Sequence, residues 1–112
     1  MRYEAVKHYS IEEVDDIMFS GDENMIKLLP LSICEYNDDF DFAQNFCLGL
    51  LDTDNNDEIH ANAALGLSYL VRRFRRFDKA IMSRLQKELE ENKAFHERVE
   101  YSIDDINTFM NW

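Results

Sequence analysis

The sequence predicts an all-α fold, a short α-solenoid of about three antiparallel helical hairpins. Three observations carry that expectation. No segment alternates apolar and polar residues with period two, while apolar residues recur at helical spacing along most of the chain. Three glycines and one proline are too few for a β fold built on tight turns. Two helix-sized segments also reappear, with similar apolar positions, about 36 residues further on.

Each element has its own signal. Ser10-Ile-Glu-Glu13 is a capping box, and Ile11, Val14, Ile17 and Met18 follow it at helical spacing. Gly21 suits the left-handed end of this first helix. Asp22 caps a second helix carrying Met25, Ile26, Leu28, Leu29 and Ile33. Pro30 inside it should kink or split the helix, because the ring clashes with the carbonyl one turn back. A third helix spans about Asp39 to Asp52 on Phe42, Ala43, Phe46, Cys47, Leu50 and Leu51. After the polar turn Asp52–Asn56, a fourth helix runs into Arg72-Arg73. Its stripe is Ile59, Ala63, Gly66, Leu67, Leu70 and Phe74, widened by Ala61, Ala64 and Leu65, so it is expected to be flanked on more than one side. Its small residues let neighbouring backbones come close. A fifth helix starts at Asp78 with Ile81, Met82, Leu85 and Leu89. A last one runs from about Lys93, unbroken through Ser102, on Phe95, Val99, Ile103, Ile106 and Met110.

The repeat is visible by superposition. Shifted by 35 positions, Phe42, Phe46, Cys47 and Leu50 fall on Phe77, Ile81, Met82 and Leu85. Shifted by 36, Ile59, His60, Ala63, Leu67 and Leu70 fall on Phe95, His96, Val99, Ile103 and Ile106. A two-helix unit of this length cannot bury its apolar face alone, so three units are expected to stack, the first as a degenerate cap.

Asp57-Glu-Ile-His-Ala-Asn-Ala-Ala-Leu-Gly-Leu-Ser-Tyr-Leu-Val-Arg72 resembles the second helix of HEAT repeats, with His60 where that family usually has Arg. Residues 39–112 are similar to a group of short bacterial HEAT-like proteins. The resemblance rests on Ala43-Gln44, Cys47-Leu48, Ala61-Asn62-Ala63, Leu65-Gly66, Asp104-Asp105-Ile106, Phe109 and Trp112, with Ala61 departing from the usual Gly. Members of that group are immunity proteins of contact-dependent growth inhibition and related polymorphic toxin systems. The resemblance implies a single HEAT-like domain over residues 1–112 and a non-enzymatic protein that binds and neutralises a cognate toxin.

The charge distribution agrees with such a partner. Residues 1–58 hold fifteen acids and three bases, a charge of −12, while residues 59–112 hold eight acids and nine bases, or +1. Self-repulsion of this kind weakens the compact state and favours a cationic partner. A basic nuclease domain is the expected guest, bound 1:1 by a monomer. Nucleic acid and anionic membranes are excluded as partners by repulsion. No apolar run reaches the length of a membrane span, and the charged N-terminus is unlike a secretory signal. With Cys34 and Cys47 read as buried, reduced thiols, a cytoplasmic location is expected.

Two acidic clusters are candidate partner-binding sites. Tyr36, Asp38, Asp39, Phe40 and Asp41 interleave acids with aromatics at a hairpin junction: as a binding patch, Tyr36 and Phe40 anchor and the three acids meet Lys or Arg, and as plain structure, Asp39 or Asp41 caps the third helix while Phe40 and Phe42 enter the core. Glu12, Asp15 and Asp16 on the first helix repel one another until a cation arrives.

Other motifs point to structure. Asp52-Thr-Asp-Asn-Asn-Asp57 begins like a calcium loop but has Asp57 where glycine is required and Ala63 where the bidentate Glu belongs, so it reads as a polar turn whose last acids cap a helix. His60 and His96 occupy equivalent repeat positions, and neither has a partner at metal-ligand spacing. Arg72-Arg73-Phe74-Arg75-Arg76-Phe77 reads as cation enrichment at a helix C-terminus. No nucleophile elbow or phosphate loop occurs, so no catalytic residue, metal or cofactor is expected. A general HEAT-like adaptor without a toxin partner is the alternative reading.

Overall fold

Four of the helices start where a short polar side chain satisfies a free backbone amide. The computed structural model describes residues 7–112. Its helices are α1 (Ile11–Ser20), α2 (Glu23–Ile26), α3 (Leu29–Tyr36), α4 (Phe40–Asp52), α5 (Asp57–Phe74), α6 (Ile81–Glu91) and α7 (His96–Met110), with no strand among the described residues. At α1 the capping box closes both ways: Glu13 N donates to Ser10 Oγ at 3.2 Å, and Ser10 N to Glu13 Oε1 at 3.1 Å. Gly21 ends the helix at φ 72°, donating to Met18 O. Asp22 caps α2 and Asp39 caps α4.

Pro30 splits the second predicted helix rather than kinking it. α2 is a single turn, and α3 begins afresh at Leu29 with Pro30 in its first turn, where a missing N–H costs little. The described residues therefore form seven helices instead of six. The cap of α5 also differs from expectation. Asn56 accepts from Ile59 N at 2.8 Å, leaving Asp57 and Glu58 in the first turn, where they meet the positive end of the helix dipole. α7 runs unbroken through Ser102, whose hydroxyl donates to Arg98 O and does not restart the helix.

The long helix α5 is the centre of the molecule and packs on α3, α4 and α7. Ile59, Ala63, Leu67 and Leu70 are buried in it, as are their counterparts Val99, Ile103 and Ile106 in α7. The small-residue run has a specific use at Gly66. A Cβ there would lie 2.8 Å from Pro30 O and 3.2 Å from Cys34 Sγ, so the α3 backbone sits where a side chain would be.

Hydrogen bonds spanning 33 to 39 residues join one repeat to the next. Near the helix starts, Asn62 Nδ2 donates to Lys27 O at 2.8 Å, and Arg98 Nη1 donates to Asn62 Oδ1 at 2.7 Å. Asn92, the repeat counterpart of Asn56, accepts from Phe95 N at 3.1 Å as Asn56 does from Ile59 N, and donates to Asp57 O at 2.8 Å. Asn56 reaches back in the same way to Glu23. At the other end, Arg73 Nη1 donates to Cys34 O and Asn37 O, both at 2.8 Å, and Arg72 grips Asp105. Starts meet starts and ends meet ends, so α3, α5 and α7 lie side by side and run the same way. That is the geometry of a helical repeat.

Candidate functional site

The two acidic clusters differ in what surrounds them. At the α3–α4 junction the carboxylates are already engaged. Asp39 Oδ1 accepts from Phe42 N at 3.0 Å as the cap of α4. Asp38 meets Arg73 at 3.0 Å, and Asp41 meets Arg76 at 3.4 Å. Both pairs are exposed, Asp38 by 98%, so each contributes little stability. They nonetheless supply the local counter-charge.

The junction aromatics are occupied too. Phe40 is buried, in edge contact with Phe74 at 5.5 Å and covered by the Arg76 guanidinium at 4.3 Å. It belongs to the core and has no ring surface left for a partner, so the expectation of an aromatic anchor there narrows to Tyr36. Tyr36 is partly exposed, but His8 stacks on it at 5.3 Å. The segment carrying His8 is tied to α3 through Ser32, which donates to Lys7 O at 2.8 Å and accepts from Tyr9 N at 3.3 Å. This cluster is a joint between the first two repeats.

The α1 cluster is open. Glu12, Asp15 and Asp16 are exposed, and no base among the described residues pairs with them. The neighbouring Glu13 turns to the capping box and to Lys7 at 3.6 Å. Hydrogen bonding from the Ser10 amide holds its carboxyl below the usual range. Phe19, a residue the sequence reading passed over, is 96% exposed beside these acids, with Ile11 and Met18 also exposed. Its signal was available in the register: at 100° per residue it lies about 140° around the helix from the inward Val14.

The arginine cluster at the end of α5 is fully used inside the molecule. Arg72 forms a bidentate pair with Asp105 at 2.7 and 2.8 Å and donates to Tyr101 Oη at 2.5 Å. This pairing raises the guanidinium further above its ordinary value. Arg73 caps the C-terminal carbonyls of α3, and Arg75, at φ 52°, lies over the Phe109 ring at 4.7 Å. Arginines and acids thus bind repeat to repeat, as the helix-terminus reading expects, and part of the N-terminal negative charge is compensated internally.

Both equivalent histidines clamp the preceding helix. His60 Nε2 lies 2.9 Å from Thr53 O, and His96 Nδ1 lies 3.0 Å from Leu89 O, seven residues back in each case. His60 Nδ1 also meets the buried Glu88 at 3.1 Å. Glu88 is held in addition by Arg84 at 3.3 Å and Asn92 at 3.0 Å, and Arg84 Nη2 donates to Leu51 O, a carbonyl in the last turn of α4. With each ring nitrogen of His60 against a fixed acceptor, the network is a clamp between α4, α5 and α6. Among the described residues no group of three or more His, Cys, Asp or Glu could hold a metal ion. Cys34 and Cys47 are buried free thiols with sulfurs 3.4 Å apart, and burial pushes the Cys34 thiol well above its ordinary value.

No helix of the described residues is long and apolar enough to cross a membrane. No protein-family profile, curated protein or solved structure matches the chain.

Proposed function

We propose that this chain is a HEAT-like immunity protein that binds a cationic toxin domain, of the nuclease class, and neutralises it one to one in the cytoplasm without catalysis of its own. The observation that carries the reading is that no base among the described residues pairs with Glu12, Asp15 and Asp16. Asp38, Asp41 and Asp52 meet arginines of later repeats, whereas these three face solvent on a helix that contributes little to the core. Enzymes that bind polyanions present basic surfaces. An acidic inhibitor can imitate the substrate's charge and gain a steered association rate.

Co-expression and pull-down with the product of the adjacent reading frame tests the proposal, followed by association kinetics at rising ionic strength. A complex whose on-rate falls steeply with salt is expected. An on-rate indifferent to salt contradicts the charge mechanism. A basic partner that is not a toxin favours the adaptor reading.

A further inference from the structure

We propose that α1 docks the basic partner through an aromatic anchor: Phe19 enters an apolar hollow on the partner, and lysines or arginines around that hollow reach Glu12, Asp15 and Asp16. This inference rests on the functional reading above and specifies the surface it uses.

The placement follows from helical register. Taking the buried Val14 as the inward direction and 100° per residue, Met18 and Ile11 lie at about 40° and 60°, Asp15 at about 100°, Phe19 at about 140°, Glu12 at about 160° and Asp16 at about 200°. The outward half of the helix therefore places a phenylalanine among three carboxylates. In α1 only Val14 is fully buried, while Phe19 is 96% exposed. A ring left in water adds nothing to folding, yet in a partner's pocket it brings its whole apolar area, and hot spots are built from such aromatic anchors within polar rims.

Charge selects the occupant. A second copy of this chain would bring three carboxylates against three more, on a molecule of net charge −11. Nucleic acid and anionic lipid are repelled for the same reason. A surface of lysine and arginine fits twice over. The aliphatic stems pack against the Phe19 ring, with a cation–π contribution from the head groups, and those charges reach the carboxylates. Acids at the rim then set the association rate, and the buried ring sets the dissociation rate.

The test measures binding kinetics of the adjacent reading frame's product, made catalytically inactive, to the wild type and four variants. Phe19→Ala is expected to weaken binding by at least about 30-fold, mainly through faster dissociation. Asp15→Lys/Asp16→Lys is expected to slow association, and Trp112→Ala, at the other end of the repeat array, to bind as the wild type does. Phe19 is exposed, so Phe19→Ala should stay folded by circular dichroism, and Phe19→Leu should keep most of the affinity. Wild-type affinity in Phe19→Ala overturns the anchor and leaves the proposed function standing. No binding by the wild type overturns the proposed function and the anchor with it. A wild-type dimer in sedimentation that Phe19→Ala dissolves gives the face to a second copy and overturns the basic partner.

Discussion

Helices α5 and α1 use their residues in opposite ways. α5 buries eleven of its eighteen residues and is held on several sides, down to a glycine pressed against a neighbour's carbonyl. α1 buries one residue of ten and leaves a phenylalanine and three carboxylates in water. The first helix is well formed because its ends are chemically closed, by the Ser10–Glu13 box and Gly21, and owes little to packing. The contrast also divides the acids. Asp38 and Asp41 at the α3–α4 joint are matched by arginines 35 residues later, and Glu12, Asp15 and Asp16 on α1 have no base partner among the described residues. Negative charge alone is therefore a poor guide to a binding face here.

The largest effect should come from the network under α5. Glu88→Ala leaves His60, Arg84 and Asn92 without their shared acceptor and should cost about 3 kcal/mol, the low end for a broken buried pair because water reaches Arg84. Denaturant unfolding followed by far-UV circular dichroism reads it. Gly66→Ala should cost about 2 kcal/mol, since the obstacle is the Pro30 carbonyl and backbone yields less readily than a side chain. Full stability in that variant would mean α3 and α5 are further apart than described. Ser10→Ala should cost about 1 kcal/mol through the lost cap.

The capping box also carries a pH signature, through the Ser10 amide that donates to the Glu13 carboxylate. The folded-state pKa of Glu13 lies below its unfolded value, so its contribution is present above the ordinary carboxylate range and lost as pH falls through its folded-state value. Wild type and Glu13→Gln should converge in stability on acidification. For Cys34 the sign is opposite. Its folded-state pKa is raised, so the neutral thiol's contribution is complete below the ordinary thiol value and lost at more alkaline pH. Both thiols should resist an aromatic disulfide reagent at neutral pH until the protein unfolds. The smallest effect belongs to α1: Phe19→Ala should change stability by less than about 0.5 kcal/mol.

Much of the fold was legible because its determinants are local. The Ser10 box, Gly21, Asp22 and Asp39 sit where the backbone needs them, and the 36-residue recurrence of His60 at His96 reappears as the same bond to a carbonyl seven residues back. Pro30 had two outcomes, kink or split, and the chain takes the split, with α3 starting afresh at Leu29. The Asn56 cap was masked by the acids around it, which have similar capping propensity. The candidate site was half legible. Periodicity located both acid clusters, but whether an acid is free depends on residues 35 positions away. Asp38 and Arg73 meet only because α3 and α5 lie side by side. Phe40 looked equally suited to core and surface until the α4 cap fixed its direction. Phe19 lies off the inward stripe, so the apolar periodicity that marks the core does not single it out.

Amide hydrogen exchange, with and without the inactivated product of the adjacent reading frame, tests the division between scaffold and proposed docking face most directly. New protection concentrated in residues 8–22, with α6 and α7 unchanged, is the predicted result. Protection gathered on α6 and α7 while α1 exchanges as before would contradict it.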